Sequence, residues 1–253
     1  MSAGALCVLV AAVILGGTLQ RVSGMGMGLV LSPVLALLLG PATGVTVTNM
    51  TTVMSALLIG FVLRAGIDWK RFGIIAPSAL LGAIPGGQLV RELDGNWLSV
   101  MVGALLLLAL LVTVGAGKLR GLPHLTNPAW LVPFAALGAF LNTVSGVAAP
   151  ALVIYALLSR WDQRSFQATL QPVFLLFGAL SVAVKVLIGA TPLSVLPDPW
   201  ILLVILAGVL VAIAIGGQLS KRVSPQKARA AAILVAGAGA VSALIRGLIG
   251  ALG

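Results

Sequence analysis

Long uninterrupted apolar windows constrain this chain more than any other feature. Residues 45–63, 72–90, 97–116, 168–188, 200–217 and 228–248 each hold roughly 18 to 22 mostly apolar residues. As α-helix, at about 1.5 Å per residue, each covers a hydrocarbon core of about 30 Å. With 60% of residues apolar and 8% charged, the chain lacks the polar surface that a water-soluble globule needs. The alternating strands of roughly ten residues that build a membrane β-barrel are absent from the sequence. The expected fold class is an all-α polytopic membrane protein.

The first apolar segment, 3–19, has no basic residues ahead of it and no small-residue cleavage site, so it reads as a retained helix rather than a signal peptide. The net charge of +10 comes without a basic helix or interleaved aromatic and basic residues, which argues against nucleic acid as a partner. The charge instead reports topology. Loops 64–71, 118–127, 160–164 and 221–229 are rich in Lys and Arg, whereas the connections near Pro41, at 91–96 and at 189–199 are not. The positive-inside rule places the first set in the cytoplasm and both termini outside. Region 128–159 then has both flanks inside, so the chain must cross an even number of times there or dip in and return. It divides near Ser145-Gly146 into two apolar pieces of roughly 14 residues or fewer, too short to span upright.

A similar division occurs at Ser23-Gly24, inside the stretch SGMGMGLVLSP, and it is the anchor of an internal repeat. At one common offset Gly16 falls on Gly138, Gln20 on Asn142, and Val22-Ser23-Gly24 on Val144-Ser145-Gly146. Later in each half, Gly86-Gly87-Gln88-Leu89 reappears as Gly216-Gly217-Gln218-Leu219. Each half, 1–120 and 121–253, then reads as a pair of short, discontinuous helices followed by three transmembrane helices, about ten helical segments in all. An odd number of net crossings per half makes the repeats inverted, as in secondary transporters whose sites lie at the repeat interface.

The glycine-rich break followed by a proline, the GGQL end of the fourth segment and the degenerate second copy of both resemble the sulfite exporter TauE/SafE family of membrane permeases. The resemblance covers nearly the whole chain. It implies transport of small organic or sulfur-containing anions such as sulfite or sulfonates, several family members acting as exporters. The second copy departs from the glycine-rich pattern, with Ala148, Ala149 and Pro150 after the break.

Irregular backbone at membrane depth is tolerated only when it is buried or lines a cavity, so the break at Ser23, Gly24, Gly26 and Gly28 is expected to face the interior. The helix starting there directs free amides and its dipole at the break, and glycine allows close approach of an anion. Ser145 and Gly146 supply the matching break. Arg21, a cation at membrane depth, is expected to bind the anion, with Gln20 and Asn142 donating from equivalent positions. Asn49 and Thr52, within a cluster that includes Thr48 and Thr51, join the substrate-binding set, as does Gln171, one turn beyond Gln167. Interhelical hydrogen bonding is the alternative reading of that cluster. Lys185 and Arg246 lie near helix ends, where snorkelling to the interface is expected. Gln88 and Gln218 sit beside paired glycines and read as close-packed helix ends.

All five acidic residues, Asp68, Glu92, Asp94, Asp162 and Asp198, fall in loops, so no span carries the carboxylate that proton or sodium coupling usually uses. An intramembrane enzyme would need a nucleophile and base or a metal cluster. The sole histidine, His124, is a loop residue, and the single Cys7 can form neither an intrachain disulfide nor a thiolate metal site. No catalytic activity, metal or cofactor is expected. The expected partners are a small anion and the lipid bilayer of a bacterial-type plasma membrane, with a homodimer left open. The alternative to an alternating-access carrier is an anion channel or uncoupled uniporter.

Overall fold

Glycine, proline and aspartate punctuate the apolar windows into ten α-helices among the described residues. These are α1 (Ala3–Ser23), α2 (Met27–Leu39), α3 (Pro41–Leu63), α4 (Trp69–Glu92), α5 (Gly95–Ala116), α6 (Leu131–Ser145), α7 (Ala149–Leu158), α8 (Gln163–Leu187), α9 (Pro199–Leu219) and α10 (Pro225–Leu252). The computed structural model describes residues 2–116 and 123–252. Lys118, Arg120 and the boundary drawn between residues 120 and 121 lie outside the described residues. Eight helices are long and apolar enough to cross a membrane, whereas α2 and α7 are shorter. The protein is an all-helical, integral membrane protein.

Local chemistry explains where the helices start. Asp68 accepts from the Arg71 amide (3.0 Å), Asp162 from that of Ser165 (2.9 Å), and Asp94 from those of Asn96 (2.9 Å) and Trp97 (3.1 Å). Each carboxylate satisfies otherwise unpaired amides and complements the positive end of a helix dipole. Asp198 precedes α9 without a side-chain cap and Glu92 ends α4, so all five acids stand at helix ends. Trp69, Trp97, Trp130 and Trp200 stand exposed near the starts of α4, α5, α6 and α9, where amphipathic rings anchor a helix at the membrane surface. Leu81, Leu111, Leu203 and Leu234 are exposed along the spans, as lipid-facing positions require.

One expectation needs correction. The sequence predicts two short helices on either side of the first break, but α1 runs for 21 residues, long enough to cross the bilayer. Thr18, Gln20 and Arg21 lower the hydropathy there without ending the helix, which stops only at Gly24. In the second half α7 is 10 residues, as expected from the sequence, whereas α6 with the turn before it forms an 18-residue apolar segment, Pro128–Ser145, long enough to cross where a shorter piece is expected.

The helix pairings have an internal correspondence. α1 packs on α9 as α6 packs on α4, α2 on α10 as α7 on α5, and the pairs α3–α8 and α5–α10 map onto themselves when the two halves are exchanged. The GGQL glycines show it at atomic detail. Gly86 abuts the Phe140 carbonyl (3.2 Å) and Thr143 Cβ (3.1 Å), measured from where a Cβ would stand, and Gly216 abuts the Thr18 carbonyl (3.1 Å) and Arg21 Cβ (2.7 Å). Thr18 and Arg21 fall on Phe140 and Thr143 at the offset that sets Gly16 on Gly138. The departure is α2, which packs along α3, whereas the shorter α7 has no comparable contact with α8. Gln88 and Gln218 are themselves exposed; the close packing belongs to the glycines.

Unlike Gly216, Gly217 has nothing within 4 Å of where a Cβ would stand. Gly216→Ala is therefore expected to cost about 1–3 kcal/mol through overpacking against α1. Gly217→Ala should be neutral or gain up to about 1 kcal/mol from helix propensity. Thermal melts of the two purified variants check the difference.

Candidate functional site

Both interrupted pairs turn in the same way. Gly24 ends α1 in the left-handed conformation (φ 81°) and its N–H donates to the Gln20 carbonyl at 2.8 Å. Gly146 ends α6 likewise (φ 76°), its N–H donating to the Asn142 carbonyl at 2.8 Å. Glycine is favoured because a side chain is strained at this cap. α2 then starts at Met27, and α7 starts at Ala149 with Pro150 in its first turn, where the missing N–H costs no hydrogen bond.

The two breaks touch. A Cβ on Gly28 would overlap the Gly146 carbonyl oxygen, so only glycine permits α2 to begin against the end of α6. Ser32, one turn further on, donates to the Ser145 carbonyl and so satisfies a carbonyl left open by the end of α6. On the other side, α8 serves the end of α1. Gln167 Nε2 donates to the Ser23 carbonyl (3.3 Å) and Gln171 Nε2 to that of Gly24 (3.4 Å).

Between the breaks lies a small, partly open cavity. Gln20, Gly26, Gly28, Thr52, Asn142 and Gly146 line it, together with Met25, Met27, Leu29, Val147, Ala148, Ala149 and Phe174. The starts of both short helices therefore border the same space, and amides in a first helical turn have no partner within their own helix. Gln20 is held by its neighbours: its Nε2 donates to Gln171 Oε1 (3.1 Å) and its Oε1 accepts from Ser55 (3.0 Å). Asn142 is 2% exposed and its Nδ2 has no hydrogen-bond partner. A buried amide donor left unpaired is costly, so this one points to a ligand acceptor.

Six of the twelve residues expected in the site line the cavity. Five others stand behind it. Ser23 donates to the Leu19 (2.8 Å) and Met25 (2.5 Å) carbonyls, Gly24 packs on Gln167, and Ser145 and Gln171 hold the breaks as described. Asn49 Nδ2 donates to the Asn142 carbonyl (3.3 Å) and to Ser181 (2.7 Å), so it positions α6 against α3 and α8.

Arg21 departs from expectation. It follows Gln20 by one residue, hence about 100° around α1, and its Cβ and Cγ pack against Gly216 of α9 rather than lining the cavity. Arg21→Ala is expected to leave anion affinity within about twofold of wild type while lowering stability through lost packing on α9, by about 1 kcal/mol. A binding isotherm and a melt on one preparation separate the two effects.

Lys185 also differs. It is fully buried, and its Nζ has no partner, so it does not snorkel. Arg246 does reach a helix end: exposed, it donates to the Leu37 carbonyl (3.0 Å) in the last turn of α2. His124 and Cys7 are exposed. Phe174 is the lining residue that the sequence could have offered, since it stands one turn from Gln171 on the same face of α8. Met25 and Met27 alternate with the glycines of the first break and could have been read there too.

A polytopic helical bundle whose two interrupted helix pairs meet over a cavity lined by Gln20, Thr52 and Asn142 among apolar residues defines a class, that of membrane transport proteins. The match is to a family of that class. The family model described as sulfite exporter TauE/SafE matches residues 9–244, and the chain belongs to this family of membrane transporters. Searches of curated proteins and of solved structures find no match to this chain.

Proposed function

We propose that this protein is a secondary transporter that carries small sulfur-containing or organic anions, sulfite and sulfonates foremost, by alternating access. The observation that carries this reading is the unpartnered, buried Asn142 amide in a cavity bordered by the starts of two short helices. Helix starts and amide donors favour an anion, and neither supplies a partner for a cation. Gly26, Gly28 and Gly146 let the anion approach backbone amides, with Gln20 and Asn142 as side-chain donors; Thr52 lines the space but gives its hydroxyl proton to the Thr48 carbonyl (2.9 Å). Ser23, Gly24, Asn49, Ser145 and Gln171 hold these groups in place.

The two halves, 1–120 and 121–253, act as inverted repeats. The exchange symmetry of the helix pairings supports this, as does the distribution of loop cations. Both termini then face outward. Alternation proceeds by rocking or sliding of one half on the other, with the touching breaks as the gate. With all five carboxylates at helix ends, any proton coupling travels on the ionisation of the substrate rather than on an acidic side chain.

A thermal-shift screen of sulfite, thiosulfate, sulfonates and carboxylates tests the substrate class. A ligand at about a hundred times its Kd stabilises the folded state by about 2.7 kcal/mol, so the sulfur oxyanions should raise Tm while the same concentration of a neutral sulfone should not. Equal response to the neutral compound, or none to any anion, would remove the reading.

A further inference from the structure

Lys185 is the only charged residue among those buried in the described structure, and it is completely inaccessible. An unpaired buried ammonium is costly, and such groups are normally paired with an acid or persist for a function. No acid is available from the elements around it. α8 packs on α3, α4 and α6. α3 and α6 contain no titratable residue, and those of α4 lie at its ends: Lys70 and Arg71 at the start, exposed Arg91 and Glu92 at the finish. The following loop offers only Asp198, at the start of α9.

The lysine nonetheless shares a face of α8 with Phe174, which lines the central cavity. Gln171, Phe174, Gly178, Ser181 and Lys185 recur at helical spacing and share one face of α8. Gly178 packs against Asn49 of α3, and Ser181 accepts from Asn49, which also donates to the Asn142 carbonyl. Lys185 is the next turn of that face, opposite the turn of α3 that carries Thr46. There Thr46 and Thr191 share a hydroxyl hydrogen bond (3.2 Å), and the Thr191 amide donates to the Lys185 carbonyl (3.2 Å). Asn49 Oδ1, Asn142 Nδ2 and Lys185 Nζ, three of the four buried side-chain polar atoms without a partner among the described residues, belong to this run of side chains.

We propose that Lys185 is a second anion-binding station, about 16 Å along α8 from Phe174, which an oxyanion occupies between the central cavity and the end of the bundle where α8 ends and α3 begins. The ammonium supplies the charge, and Ser181, whose hydroxyl accepts from Asn49, keeps its own proton as a further donor; Thr46 donates to the Ala42 carbonyl (2.8 Å) and Thr191 to Thr46, so these two frame the station. The station rests on the transporter reading, and the lysine is retained there at the expense of stability because the translocating anion needs a cation.

The test uses the full chain in detergent and in proteoliposomes, with sodium sulfite as the probe and sodium chloride of equal ionic strength as the control. Lys185→Met should melt at a higher temperature than wild type without sulfite, because an unpaired charge has been removed. It should also lose at least half of the sulfite-dependent shift and slow sulfite exchange at sub-saturating concentration at least tenfold. Lys185→Arg, which keeps the charge, should retain more exchange than Lys185→Met. A Lys185→Met variant that exchanges sulfite as wild type does, or that is less stable than wild type in chloride, would overturn the station. A wild-type chain that neither shifts nor exchanges would overturn the transporter reading and the station together, so the two failures are distinguishable.

Discussion

Replacing Gly28 by valine is expected to destroy transport and to destabilise the protein strongly. The new Cβ would overlap the Gly146 carbonyl oxygen, a backbone atom fixed by the left-handed cap of α6. No side-chain rotation relieves that contact, so α2 must withdraw from α6. Ser32 then loses the Ser145 carbonyl and the Asn142 side of the cavity moves away from Gln20. Overpacking usually costs about 1–3 kcal/mol, and a backbone collision at the junction of both helix pairs should reach or exceed the upper end. Gly73→Ala is the matching control, because Gly73 has nothing within 4 Å of its Cβ position and alanine favours a helix. Melts of the two variants should differ strongly, and only Gly73→Ala should transport.

The second large effect is expected at Asn142. Asn142→Asp keeps shape and volume but replaces the unpartnered donor with a negative charge among the lining residues. Loss of a hydrogen bond to a charged ligand costs about 1.5–3 kcal/mol, which is roughly ten- to more than a hundredfold in affinity. Repulsion between two anions in a space of low dielectric adds to that. Anion affinity should therefore fall by more than about a hundredfold at neutral pH. Asn142→Leu removes the donor without adding charge. It should bind anions weakly yet fold at least as stably, because an unsatisfied buried amide has gone. If both variants bound sulfite as wild type does, the amide would have no part in the site.

Much of this site can be read from the sequence because glycine and its spacing carry backbone information. The echo of Val22-Ser23-Gly24 in Val144-Ser145-Gly146 marks two left-handed helix caps of the same geometry, and the repeated GGQL marks two equivalent close packings. The facing of each helix cannot be read in this way. α1 and α9 are apolar nearly all round, so periodicity does not say which side meets a neighbour. Gln20 and Arg21 are equally eligible for the cavity by sequence, and packing of α9 at Gly216 turns Gln20 inward and Arg21 away. The burial of Lys185 escapes the sequence for a related reason. A lysine near the end of an apolar run is free to snorkel unless neighbouring helices and the following loop cover it, and that is a tertiary fact. The full length of α1 is hidden because polar residues lower hydropathy without breaking a helix.

The most direct test of the central claim is sulfite counterflow in proteoliposomes holding the wild-type chain or Asn142→Asp. An alternating-access carrier with its anion site at the touching breaks predicts saturable, sulfite-stimulated exchange that Asn142→Asp abolishes in a folded protein. Unsaturated conductance without counterflow, or exchange by Asn142→Asp equal to wild type, would contradict it.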